Sequence, residues 1–217
     1  VCFLSIPIIY KSISIKHFDR KILLNILKFS IPFLPAGIFT MVMELSDRYM
    51  IEWILGTSEV GLYSAGKKMG MLGLTAVMGF NMGWTPYFLK RGKTEKAKEE
   101  FKIITTIFLG LIGFICFLVS LWISKIMRFS ILGTTLIGAE FWDCEPIVIL
   151  ILTGYFFFGV YVLQLPGIYI KEQTKWVPIF RIIGAFVLIF SSLIIITKVV
   201  IVGAAYEVVL SFFSMII

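Results

Sequence analysis

Two long apolar stretches of this chain carry charge inside them. Glu44, Asp47, Arg48 and Glu52 stand in the first, Lys67 and Lys68 in the second. Ionisable groups in membrane-length helices are costly, so they face a bundle interior or a wet cavity and mark substrate or ion pathways. Glu44, Arg48 and Glu52 recur at every fourth residue and share a helical face, with Asp47 beside them and Thr40 continuing the stripe. At that spacing Arg48 can pair with Glu44 or Glu52 within its own helix. Lys67 and Lys68 open a second stripe through Met71, Thr75, Met78, Asn81 and Thr85. Compact ammonium charges on a cavity wall suit an anionic headgroup such as a phosphate. A plainer reading stands beside this one: both clusters lie toward helix ends, where charges snorkel to the interface. The spacing alone leaves the two open.

The elements that must hold these groups are membrane helices. Apolar residues make up 59% of the chain and charged residues only 15%. Mean hydropathy is +0.98. A soluble domain sits nearer ~45–50% apolar and ~25% charged. Apolar runs long enough to cross a ~30 Å hydrocarbon core recur throughout. The pattern predicts an all-α, polytopic bundle: a helix tail at 1–10, then spans at 22–54 (bent), 60–89, 101–124, 146–170, 176–197 and 199–217. The chain is expected to form one transmembrane domain and to be a fragment of something larger, since it opens at Val1 and closes inside an apolar run.

Lys and Arg set the orientation. Lys11, Lys16, Arg20, Lys21 and Lys28 crowd 11–28; Lys90, Arg91, Lys93, Lys96, Lys98 and Lys102 crowd 90–102; Lys171, Lys175 and Arg181 follow the fourth span. The alternate connections hold Arg48, then Lys125 and Arg128, then Lys198. This alternation requires about six crossings and puts loops 11–28, 90–102 and 171–175 in the cytoplasm. The net charge of +7 is then a property of these loops, and no nucleic-acid partner is implied. Lys96 and Glu100, four apart, favour a solvated helix extension in 93–102. Glu140, Asp143 and Glu145, before Pro146, suit the N-terminus of a helix. Arg181 is read as an inner-face anchor, Gln164 as a weak site candidate, and His17 as a solvated loop residue.

Gly66–Gly70 and Gly79–Gly83 are small-residue pairs that permit close helix approach. Pro32, Pro35 and Pro166 can bend their helices and are the hinge candidates. Cys2, Cys116 and Cys144 have no metal-ligand spacing and read as free thiols. The chain shows no Walker loop, HExxH or GxSxG, and its lone loop histidine offers little for acid–base work. No enzyme activity, metal or cofactor is expected. Any pumping would draw on a gradient, with H+ or Na+ as the coupling ion and Glu44, Asp47 and Glu52 as the ion-pair or coupling candidates. Arg48, Lys67, Lys68 and Asn81 are the substrate-binding candidates.

In order, Ile31-Pro-Phe-Leu-Pro35, Ser46-Asp-Arg-Tyr-Met-Ile51, Gly56, Gly61-Leu-Tyr-Ser64, Lys67 and Trp84-Thr-Pro-Tyr-Phe88 resemble the C-terminal half of a Wzx-type polysaccharide or O-antigen flippase of the MOP exporter superfamily. Val202-Gly-Ala-Ala205 resembles the opening of a late helix of that family. The resemblance is close over Phe29 to Lys90 and rests elsewhere on hydropathy and loop spacing. It implies one lobe of a two-lobed transporter, a missing N-terminal lobe, and a cationic central cavity. The implied activity is flipping of polyprenyl-(pyro)phosphate-linked oligosaccharide across the cytoplasmic membrane by alternating access. Asp47, Arg48 and Lys67 match family positions; Lys68, Glu44 and Glu52 match none. Three alternatives stay open: a multidrug exporter of the same superfamily, a membrane glycosyltransferase or ligase, and a non-catalytic assembly subunit. Organic-cation export would want an acid deep in a helix beside an aromatic cavity.

Overall fold

The computed structural model describes residues 19–216 except 93, 95, 132, 133, 136 and 200. The helix tail expected at 1–10, with Cys2, Lys11, Lys16 and His17, lies outside the described residues. The rest is helical: α1 (Arg20–Ser30), α2 (Phe33–Leu55), α3 (Thr57–Arg91), α4 (Ala97–Met127), α5 (Glu145–Ile170), α6 (Trp176–Val199) and α7 (Ile201–Ser214). Between α4 and α5 stand a small antiparallel ribbon, Ser130–Ile131 with Thr134–Thr135, and a 3₁₀ turn at Ala139–Cys144. The fold is an all-α bundle. Residues 20–55, 97–127, 139–170 and 176–196 are long and apolar enough to cross a membrane. α3, at 35 residues, has the length but more polar groups, and α7 is apolar but only 14 residues long. The alternation of basic loops adds these two to the expected crossings.

Proline chemistry sets one of the breaks. Pro32 has no N–H to continue the ladder, and the chain turns at 31–32 between α1 and α2 while keeping right-handed dihedrals. Pro35 falls in the first turn of α2, where the missing donor would have had no partner in any case. Pro166 is buried inside α5, which continues to Ile170. Pro86 lies inside α3 too, on its exposed face, a bend candidate that the residues' spacing did not single out.

α5 is the centre of the bundle, packed by α3, α4 and α7, and it buries Ile147, Val148, Ile151, Leu152, Tyr155 and Phe158. α2 and α7 both pack on α6, and α2 also meets α3. α2, α3, α5, α7 and α6 therefore form a closed ring, with α4 outside it against α5 and α3. The outer wall shows which solvent surrounds it. Ile103, Ile107, Leu111, Phe114, Leu118 and Leu121 make an exposed helical stripe down α4. Such an apolar face fits hydrocarbon and not water.

α3 holds the bundle in two ways along its length. Its first half meets α5 through glycines. A Cβ on Gly66 would lie 2.8 Å from Ile147 Cγ2, and one on Gly70 would collide with Ile151. Its second half uses rings: Phe80 stacks on Phe108 of α4 at 3.8 Å between centroids, and Trp84 meets Phe101 edge-on at 5.2 Å. Gly79 and Gly83 do not share the role expected of them, because nothing lies within 4 Å of a Cβ at either position. They face away from every described helix, so among the described residues their spacing brings no helix closer. At the other end of α3, Glu100 pairs with Arg91 at 3.2 Å and accepts from the Tyr87 hydroxyl at 2.6 Å. The helix extension is present from Ala97, but Glu100 turns back to α3 instead of pairing with Lys96.

Gly66→Ala and Gly70→Ala should each lower thermal stability in detergent by about 1–3 kcal/mol through overpacking of the α3–α5 seam. Gly83→Ala should be neutral or gain up to about 1 kcal/mol from helix propensity. Equal effects at the seam and at Gly83 would remove the glycine contact as the cause.

Candidate functional site

The site begins with a reversal one residue long. Gly56 closes α2, opens α3, and has φ +97°, a conformation that L side chains rarely adopt. The connection left at 55–59 between the expected spans is thus a single glycine, and α3 already runs from Thr57. The chain doubles back on itself, so that residues about nine to eleven positions either side of Gly56 meet.

There Asp47 of α2 is fully buried. Its carboxylate accepts from the Tyr63 hydroxyl at 2.6 Å and from the backbone N–H of Arg48 at 2.8 Å, and it is ion-paired with the Lys67 ammonium. Lys67 is itself buried and donates a second bond, at 3.1 Å, to the Glu44 carbonyl. At 1.5 Å per residue, Asp47 and Lys67 lie roughly 14–17 Å from the reversal. Tyr63 reinforces the pair from one turn earlier on α3.

The inward face of α2 runs through Ala36, Met43, Asp47 and Ile51. It is offset by one position from the Glu44, Arg48 and Glu52 stripe read from the sequence. Glu44 and Glu52 are exposed. Arg48 belongs to neither of the ion pairs found among the described residues, Lys67–Asp47 and Arg91–Glu100, and its Nε is buried without a hydrogen-bond partner. The pairing expected within one helix is instead made between two. On α3 the divide falls between neighbours. Lys67 shares the buried face of Tyr63, Gly66 and Gly70, whereas Lys68, Met71, Thr75 and Met78 are exposed. Asn81 is half-buried and accepts from the Thr85 hydroxyl at 3.0 Å.

Inside the helix ring lies a cavity of about 110 Å³, room for several waters. Thr40, Met43 and Glu44 of α2, Lys67 of α3, Tyr155 and Phe158 of α5, Arg181 of α6 and Ser211 and Phe212 of α7 are on its wall. Arg48, Glu52, Lys68 and Asn81 are not. Arg181 is therefore more than an inner-face anchor: its guanidinium lies over the rings of Phe158 at 5.4 Å and Tyr161 at 5.1 Å. With Asp47 directly behind the wall, two cations and two carboxylates meet at this cavity. The charge is balanced, and the cation that no carboxylate holds is Arg181.

One residue escaped the sequence reading altogether. Glu207 of α7 is fully buried; Ser192 of α6 bonds one of its oxygens, and the other has no partner. The signal was present, since a lone carboxylate stands in the apolar run of α7 beside Gly203, Ala204 and Ala205. Cys116 and Cys144 are free and buried. Among the described residues no group of His, Cys, Asp or Glu is placed to hold a metal ion. Glu145 and Pro146 open α5 as expected, but no side chain caps that end by a hydrogen bond.

Residues 3–92 match a family model described as polysaccharide biosynthesis protein. The matched stretch takes in α1, α2 and α3, and with them Asp47, Tyr63 and Lys67. No curated protein and no solved structure matches the chain.

Removing one partner of a buried ion pair strands the other charge. Asp47→Asn should therefore cost about 3–5 kcal/mol, and Lys67→Met a similar amount. The double variant Asp47→Asn/Lys67→Met should recover most of that loss. A double-mutant cycle by thermal unfolding in detergent measures the coupling, and additive losses would show that the pair is not coupled.

Proposed function

We propose that this bundle is one lobe of a membrane transporter that moves a polyprenyl-(pyro)phosphate-linked oligosaccharide from the inner to the outer leaflet of the cytoplasmic membrane, by alternating access, in surface polysaccharide biosynthesis. The carrying observation is a cavity inside a lipid-facing helix ring that has Lys67 and Arg181 on its wall. The match of residues 3–92 to polysaccharide biosynthesis proteins supports it. The sugar and phosphate would travel through polar space while the polyprenyl chain stays in lipid. A bare diphosphate crossing hydrocarbon would meet a prohibitive desolvation cost. Arg181 lies about 8 Å along α6 from its basic, cytoplasmic end. There it would meet the phosphate first as a planar, forked donor. Lys67 stands deeper, held by Asp47 until an incoming anion competes for it. Pro32, Pro35 and Pro166 are the hinge candidates for the change of access. H+ or Na+ coupling through Asp47 or Glu44, and a second lobe to complete the path, belong to the same proposal. The protein would bind and carry its substrate without changing a covalent bond.

A second reading, export of organic cations, is favoured by the make-up of the wall. Met43, Met78, Tyr155, Phe158 and Phe212 surround the cavity, and Glu44 adds an acid. The two readings call for opposite residues. If the cargo is anionic, Arg181→Gln should slow flipping of a fluorescent polyprenyl-pyrophosphate-linked oligosaccharide in proteoliposomes by about 10–100-fold. That is the equivalent of a charged hydrogen bond worth ~1.5–3 kcal/mol. Glu44→Gln should spare it. If the cargo is an organic cation, Glu44→Gln should abolish its export and Arg181→Gln should not. Flipping unchanged in Arg181→Gln would sink the anionic-cargo proposal.

A further inference from the structure

Glu207 sits where an ionised carboxylate has almost nothing to hold it. It is fully buried on α7, between α5 and α6 and close to α2. From α2 the facing group is Asp47, a carboxylate; from α3 it is Tyr63, already donating to Asp47; from α6 it is Ser192; and α5 brings Tyr155 beside Asp47 and Tyr63. Lys67 is engaged by Asp47 and the Glu44 carbonyl. An ionised Glu207 would add a second negative charge to this cluster, with one oxygen bare. Burying a charge in that way is far costlier than leaving one neutral carbonyl oxygen unpaired.

The hydroxyl of Ser192 decides where a proton can be. Its Oγ is within bonding distance of two oxygens, the Leu188 carbonyl at 2.9 Å and Glu207 Oε2. A hydroxyl has one hydrogen and cannot donate to both. Both contacts are satisfied if Ser192 donates to the Leu188 carbonyl while an acid proton on Oε2 is donated to Ser192 Oγ. The arrangement has one hydrogen too few unless Glu207 supplies it.

We propose that Glu207 is a proton-binding site: a neutral carboxylic acid held between α6 and α7 by the Ser192–Leu188 relay, next to the Asp47–Lys67 pair. The occupancy of the site stands on this geometry. Its use as the coupling proton, held while an anionic cargo draws Lys67 away from Asp47 and given up when that pair re-forms, rests on the transporter reading above. No bond other than O–H is made or broken, and the proton is exchanged with water.

Infrared difference spectra of the purified full chain in lipid test the occupancy. At neutral pH the wild type should show the carbonyl band of a buried carboxylic acid, absent in Glu207→Gln and retained in Asp47→Asn. Ser192→Ala, which keeps the acid and removes its acceptor, should move the band without abolishing it. Glutamine can donate to Ser192 as the acid does, so Glu207→Gln should melt within about 4 °C of wild type. A wild type without the band, a band that survives Glu207→Gln, or a band that ignores Ser192→Ala would each overturn the assignment. The coupling role has its own readout. The pH dependence of flipping in proteoliposomes should flatten in Glu207→Gln, and a dependence that persists would overturn that role while leaving the proton site in place.

Discussion

Charge cannot face hydrocarbon, and the packing of this bundle follows from where its charges are hidden. Asp47 and Lys67 satisfy each other inside a wall of apolar helices, with Tyr63 and two backbone groups filling the remaining bonding positions. A pair so placed is not a strong source of stability, because desolvation offsets most of the attraction. Its effect is on specificity. Only a register in which α2 presents Asp47 to the Tyr63 and Lys67 face of α3 keeps both charges out of lipid. That register turns Gly66 and Gly70 toward α5, where their lack of side chains lets Ile147 and Ile151 come close. A one-residue rotation of α3 would expose Lys67 and drive its neighbour Lys68 into the seam.

The same constraint explains which parts of the molecule were legible in the sequence. Helices are long and apolar here, so their number and extents could be read from hydropathy, and Pro32 marked the break between α1 and α2. The single-glycine reversal was less legible, because residues 55–59 fell between the expected spans, whereas Thr57 already opens α3. The inward stripe of α2 was read one position out of register, although Asp47 and Lys67 were both among the residues picked out. Glu44, Arg48 and Glu52 at fourfold spacing looked like the inward stripe, but Met43, Asp47 and Ile51 have the same period and are the residues buried. Period alone cannot say which of two adjacent stripes turns inward; the partner helix decides. Lys67 and Lys68 illustrate this most plainly, since neighbours of identical chemistry have opposite fates. Glu207 shows the reverse failure, a lone acid that no spacing rule picks out and that acquires meaning only when Ser192 is brought to it from fifteen residues away.

Around the cavity there is a division of labour among the helices. α4 takes no part in its wall and meets the rest through rings, whereas the five helices of the ring each contribute to the lining. Polar groups are few and are contributed by all five helices: Thr40 and Glu44 from α2, Lys67 from α3, Tyr155 from α5, Arg181 from α6 and Ser211 from α7. A cavity assembled in this way changes its chemistry whenever the helices move relative to one another, because its polar groups are spread over five separate rods. Arg181 rests on the faces of Phe158 and Tyr161 and is in neither of the ion pairs among the described residues, so its charge is shielded from lipid by rings.

The one-residue reversal at Gly56 also bears on how the protein is made. Asp47 and Lys67 are separated by only 20 residues, so closing the loop between them costs little chain entropy. Their pairing is local in sequence and needs neither α5 nor the late helices. As the chain emerges, α2 and α3 can enter the bilayer as one hairpin with both charges already neutralised, before the glycine seam has anything to pack against. A longer connection would let α2 meet lipid alone with an unpaired carboxylate. The tightness of the turn thus serves assembly as much as the finished fold.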